Sequence, residues 1–235
     1  MTGLNNWFQG VNLDRIIEWL MFGAAALIAI SVHESSHALS AHWLGDDTAK
    51  RMGRISLNPL RHLDLMGFLM MVVAHFGWAK PVPVDMRRFK NPKQGMAVTA
   101  AAGPISNVLL AIVFGFLTWI LWAVYLRQGM AAGSMDRNLL YYVVQFCEVS
   151  EILNAGLAVF NLIPVSPLDG SKILGLILPE KTYFQLMRYE RYGMPVLIVL
   201  LALGVLDGPL EFLRGGLLDG IDLLAKPVAM KLAGL

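Results

Sequence analysis

The sequence predicts an all-α polytopic integral membrane protein, a core of transmembrane helices with a small re-entrant or β-hairpin element. Three observations carry that class. Of 235 residues, 56% are hydrophobic and only 15% are charged, against about 25% in soluble domains. Mean hydropathy is +0.57. Residues 95–126 run for 32 positions without a charge, long enough to cross a bilayer. A formal net charge of +2 is too small to argue for nucleic acid. One cysteine, Cys147, excludes an intrachain disulfide and a Cys-based zinc site.

The chain reads as a single domain over 1–235, and its elements follow in order. Residues 16–43 form a first span, about 42 Å long as a helix. It follows a polar start without a basic n-region, so no cleavable signal peptide is expected. Residues 54–84 form the re-entrant or β region, with "GRISL" (53–57) and "PVPV" (81–84) as its extended pieces. Residues 95–126 are the clearest span, with Gly103-Pro104 loosening the backbone near its start. A helix over 139–163 leads into a P-x-x-P-L-D-G loop. A further span covers 189–206, and 207–235 reads as an amphipathic tail suited to a membrane surface.

Loop charge sets the orientation. Lys and Arg number four in 46–64, five in 80–93, two in 127–138 and four in 170–192. The positive-inside rule places the first, second and fourth loops in the cytoplasm. That requires 65–79, which is short for a span, to dip in and return.

The chemistry lies in "HESSH". On a helix, residues i and i+4 share a face, so His33 and His37 can grip one Zn²⁺. Glu34, one step round, can act on a metal-activated water as a general base. The bare pattern is weak, but ionisable groups inside a span are costly and call for a role. A catalytic zinc needs a third protein ligand and an open position. The extended H-E-x-x-H-x-x-G-x-x-H pattern fails at Ser40 and Trp43. Glu148, Glu151 and Asp169 remain as candidates. Glu151 lies near mid-membrane, whereas Asp169 follows a helix ending near the interface that His33 and His37 approach. Asp169 is the best third ligand on depth. His42 and His75 read as interfacial or packed histidines. Glu148, Glu151, Asn154, Ala158 and Asn161 share a helical face, either a wet path or a set of interhelical hydrogen bonds.

Taken in order, H33-E-S-S-H37, G77-W-A-K-P-V-P-V84, A102-G-P-I-S-N107 and F160-N-L-I-P-V-S-P-L-D-G170 resemble the site-2 proteases, the intramembrane zinc metalloproteases. The resemblance is to the short bacterial and archaeal type without PDZ or CBS domains, and it covers most of residues 16–180. It implies zinc held by His33, His37 and Asp169, with Glu34 as base. It implies that Asn161 helps hold the substrate or the oxyanion. It also implies a core of three spans beside a small β-element, and a transmembrane substrate shortened first by another protease. One departure is H62-L-D-L-M-G-F68, where many relatives read H-I-D-P-x-G-T.

The expected function is therefore a zinc endopeptidase of the cell membrane, multi-pass, with its active site toward the cytoplasm. Its partners are a transmembrane substrate and the lipid bilayer. A non-catalytic zinc-binding scaffold is the alternative, and Glu34 weighs against it because a scaffold needs no base. A metal transporter would want further His or Asp pairs along other spans.

Overall fold

A computed structural model of the chain describes residues 13–64, 66–67, 80–127 and 139–234. The elements are helical: α1 (Leu13–Trp43), α2 (Thr48–Arg51), α3 (Pro92–Arg127), α4 (Leu139–Asn161), α5 (Asp169–Ile177), α6 (Glu180–Arg188), α7 (Gly193–Ala202) and α8 (Asp207–Ala233). Short 3₁₀ turns lie at Pro59–Arg61, Met86–Arg88 and Glu190–Tyr192. Three of the helices, α1, α3 and α4, are long and apolar enough to cross a membrane.

The central helix is α3, which packs against α1, α4, α5 and α8. Lipid offers no hydrophobic contrast, so close approach between helices depends on small residues. The sequence supplies them: Ala25, Ala26 and Ala29 on α1, Ala97, Ala100 and Ala111 on α3, and Ala155 and Ala158 on α4 are buried. Large apolar side chains such as Leu20, Phe22, Leu109 and Val113 point outward, as a lipid-facing surface requires. Trp19 and Trp43, also exposed, are 24 positions apart on α1, about 36 Å, a spacing that suits aromatic anchors at two interfaces.

The segment read as a surface tail is, over Asp207–Ala233, one helix. Ile221 and Ala225 of α8 join Ala111 and Ala155 in a buried cluster. The stretch Glu190–Ala202 meets α8 at an 86° bend.

The strands expected at 53–57 and 81–84 are not formed, and the described residues contain no strand. Gly53 sits at φ +68, in a left-handed turn that ends any extended run. The Ser56 carbonyl is taken by the side chains of Ser35 and His62. Pro81 and Pro83 have no N–H to give to a ladder. Apart from Met66 and Gly67, the 65–79 segment and its expected re-entry lie outside the described residues, as does His75.

Candidate metal centre

His33 and His37 project from one face of α1 toward α3. Gly103 makes that approach possible. A Cβ at position 103 would lie 2.5 Å from the Cε1 atoms of both imidazoles, closer than real contacts allow. The Gly103-Pro104 pair therefore matters for close packing more than for a loose backbone. Pro104 also lacks the N–H that would engage the carbonyl of Ala100, a residue that lines the site cavity.

Asp169 arrives from the other side. Pro164 and Pro167 end α4 and turn the chain, and Asp169 opens α5 rather than lying in an extended loop. A carboxylate in a first helical turn is electrostatically favoured. At Gly170 a Cβ would collide with the carbonyls of Leu162 and Ile163, so glycine lets α5 fold back on the end of α4.

The three side chains are buried and meet at a point. Asp169 Oδ2 lies 3.2 Å from His33 Nε2 and 3.2 Å from His37 Nε2. The two Nε2 atoms are 3.0 Å apart. Among the described residues these are the group of His, Cys, Asp and Glu side chains placed to hold a metal ion.

Hydrogen bonding fixes which nitrogens carry protons. Asn107 Nδ2 donates to Asn154 Oδ1 at 2.8 Å, and Asn154 Nδ2 donates to Ser150 O. Asn107 Oδ1 is thereby turned to accept from His33 Nδ1 at 2.5 Å. His37 Nδ1 donates to Thr99 O at 2.7 Å. With both Nδ1 atoms protonated, both neutral Nε2 atoms present lone pairs. Asp169 Oδ2 is buried and accepts no hydrogen bond among the described residues.

Three electron-rich atoms converging without a proton between them repel one another unless a cation joins them. Arms of about 2.0–2.1 Å to zinc span a tetrahedral edge of roughly 3.3–3.4 Å. The observed triangle of 3.0, 3.2 and 3.2 Å is within a few tenths of that. The donor set fits zinc.

The triangle opens onto a cavity of about 290 Å³. Glu34, Asn161 and Lys172 line its polar side, and Pro81, Val82 and Val84 line an apolar wall. Each expected site residue is thus on this one cavity. Glu148 and Glu151 are not: they line a separate cavity of about 470 Å³ with Trp119, Trp122 and Asp222. Asn154, from the same polar face of α4, makes the interhelical bond to Asn107. Sequence reasoning missed Thr99 and Lys172; the interhelical hydrogen bond it offered for the polar face of α4 forms at Asn154, but Asn107 as its partner was not foreseen. Two asparagines in apolar spans were the available signal.

The sequence model of peptidase family M50 matches residues 21–204, a stretch that holds all three converging side chains. The chain belongs to that family. Its relatives include proteins that carry the name "Putative zinc metalloprotease". One is YwhC of Bacillus subtilis (strain 168), 39% identical over 174 residues, which cover 74% of this chain and 76% of that protein. Another is Rip2 of Mycolicibacterium smegmatis (strain ATCC 700084 / mc(2)155), 27% identical over 83% of this chain and 68% of the relative. The Rip2 of Mycobacterium tuberculosis (strain ATCC 25618 / H37Rv) is 25% identical over 86% and 75%. No solved structure matches the M50 chain.

Proposed function

We propose that this M50 zinc metalloprotease is an intramembrane endopeptidase, cutting membrane-protein substrates within or beside their transmembrane segments in regulated intramembrane proteolysis. The observation that carries the reading is the convergence of His33, His37 and Asp169 on a cavity shared with Glu34, among helices long enough to span a bilayer. His33, His37 and Asp169 are the ligands in this reading. Held there, zinc would supply an acidified water, with a pKa toward about 7, and polarisation of a carbonyl.

The chain's own groups do the rest. Glu34, half-buried on the cavity wall, takes the proton of the attacking water and delivers it to the leaving nitrogen. Asn161 donates one amide hydrogen to Leu157 O at 3.0 Å. Its second hydrogen and its carbonyl oxygen are left for the substrate or the developing oxyanion. Asn107 and Thr99 hold the imidazoles in the ligating tautomer.

A substrate helix hides its carbonyls in i→i−4 bonds, so it must open before attack. The 80–84 stretch, whose Pro81, Val82 and Val84 line the cavity wall, suits an opened backbone. Loop charge supports a site facing the cytoplasm of a multi-pass cell-membrane protein.

The test is where cleavage falls. The protein in proteoliposomes is given a synthetic transmembrane peptide with helix-breaking residues at its centre, and products are mapped by mass spectrometry. Cuts inside the apolar stretch are expected. Cuts confined to flanking positions remote from the apolar stretch, or no cut at all, would contradict an intramembrane site.

A further inference from the structure

Arg54 carries a full charge in a loop yet is only 4% exposed. An arginine is rarely buried unless its fork is engaged. Here Nη1 donates to Pro81 O at 3.1 Å and Nη2 to Lys80 O at 2.5 Å. The same Nη2 lies 3.5 Å from His62 Nδ1. One guanidinium thus grips two successive carbonyls at the head of the segment whose Pro81, Val82 and Val84 line the metal cavity.

The loop that carries Arg54 is itself tied to the metal helix. Ser35, the neighbour of Glu34, donates through Oγ to Ser56 O at 2.5 Å. His62, 1% exposed, donates from Nε2 to the same carbonyl at 2.6 Å. The His62 carbonyl accepts from Lys80 N at 2.8 Å. A continuous chain of bonds therefore runs from the HESSH helix through Ser56, His62 and Arg54 to Lys80 and Pro81.

The segment so held has a receiving edge. Pro81 and Pro83 have no N–H, whereas the N–H groups of Val82 and Val84 make no bond among the described residues. Residues before proline, here Lys80 and Val82, are biased toward extended backbone.

We propose that Arg54 is the positioning residue for substrate in this protease: by fixing Lys80 and Pro81 it sets Val82 and Val84 at the right height beside the metal centre to receive an unwound substrate backbone. The proposal rests on the endopeptidase reading. Arg54 also lies within electrostatic reach of Glu34, so its charge and its fork must be separated experimentally. Lysine keeps the charge but cannot grip two carbonyls in one plane.

The experiment compares full-length wild type with Arg54→Lys in proteoliposomes, using the same synthetic transmembrane peptide. Zinc content, KM and kcat are measured for each. The expected result is unchanged zinc, kcat within a few-fold, and KM raised roughly tenfold or more, as loss of uniform binding predicts. An unchanged KM, or loss of zinc in Arg54→Lys, overturns the proposal. Peptide binding is measured in parallel on Glu34→Gln with and without Arg54→Lys. Weaker binding in the double variant supports the role of Arg54 even if no peptide is cut by wild type, a result that would count against the protease reading alone. Equal binding rejects it.

Discussion

Asn107 Oδ1 lies 2.5 Å from His33 Nδ1, joining the middle of an uncharged span to the metal helix. Because Asn107 Nδ2 is committed to Asn154 Oδ1, its amide cannot turn over. The His33 Nδ1 proton is therefore held in place, and Nε2 is free to ligate. Outer partners of metal-binding histidines typically control affinity by roughly 10–100-fold. Asn107→Ala is expected to lower zinc affinity by that factor while the helices stay folded. Competition with a graded chelator measures it, and an affinity equal to wild type would show that Asn107 does not set the tautomer.

Gly103 makes a sharper prediction. A methyl at this position would press on both imidazoles at 2.5 Å. Overpacking of this kind costs about 1–3 kcal/mol, and here the strain falls on the two imidazoles proposed as ligands. Gly103→Ala should lose zinc and activity together, with a modest drop in thermal stability in detergent. Gly208→Ala, where a Cβ meets nothing within 4 Å, is the control that should retain both. If Gly103→Ala binds zinc normally, the close approach of α1 and α3 is not what shapes the site.

Asp46 ties the end of α1 to the chain beyond the cavity wall. Its Oδ1 accepts from Thr48 N at 3.0 Å and Thr48 Oγ1 at 2.5 Å, and its Oδ2 from Asp85 N at 2.7 Å. Burial pushes its carboxyl up, but these bonds and the nearby Arg88 outweigh it and hold the group below the usual carboxylate range. A depressed folded-state pKa gives stability that is full above the unfolded value, about 3.9, and is lost as pH falls through the folded value. Asp46→Asn should cost about 1–3 kcal/mol at neutral pH. Its thermal midpoint should also fall less than that of wild type on acidification below about pH 4. Parallel acid profiles for the two proteins would show that Asp46 contributes no such pH-dependent stability.

Much of this was legible in the residues. Hydropathy marked the long helices, and i,i+4 spacing put His33 and His37 on one helical face without any tertiary information. Asp169 could be reached because depth in a bilayer is a one-dimensional coordinate readable from sequence. The supports were harder to read. The bond between Asn107 and Asn154 depends on how two helices are rotated against each other, which hydropathy does not encode. Gly103 looked like a backbone loosener because only the packed structure reveals what a methyl would strike. "GRISL" and "PVPV" suggested strands from local propensity, but side chains from α1 and the 54–62 loop take the carbonyls of Ser56, Lys80 and Pro81, and the prolines have no N–H to pair. The role of His62 has no local signal, because the carbonyl it serves, Ser56 O, is shared with the distant Ser35.

The central claim is that His33, His37 and Asp169 hold one zinc and that Glu34 is the base acting beside it. The most direct measurement is zinc content and peptide cleavage, side by side, for wild type, Glu34→Gln and Asp169→Ala in proteoliposomes. Wild type and Glu34→Gln should each hold about one zinc per chain, the two imidazoles and one carboxylate of a catalytic site. Glu34→Gln should cleave roughly 10²–10⁴-fold more slowly, and Asp169→Ala should lose the metal. Equal cleavage by wild type and Glu34→Gln, or full zinc content in Asp169→Ala, would contradict the account.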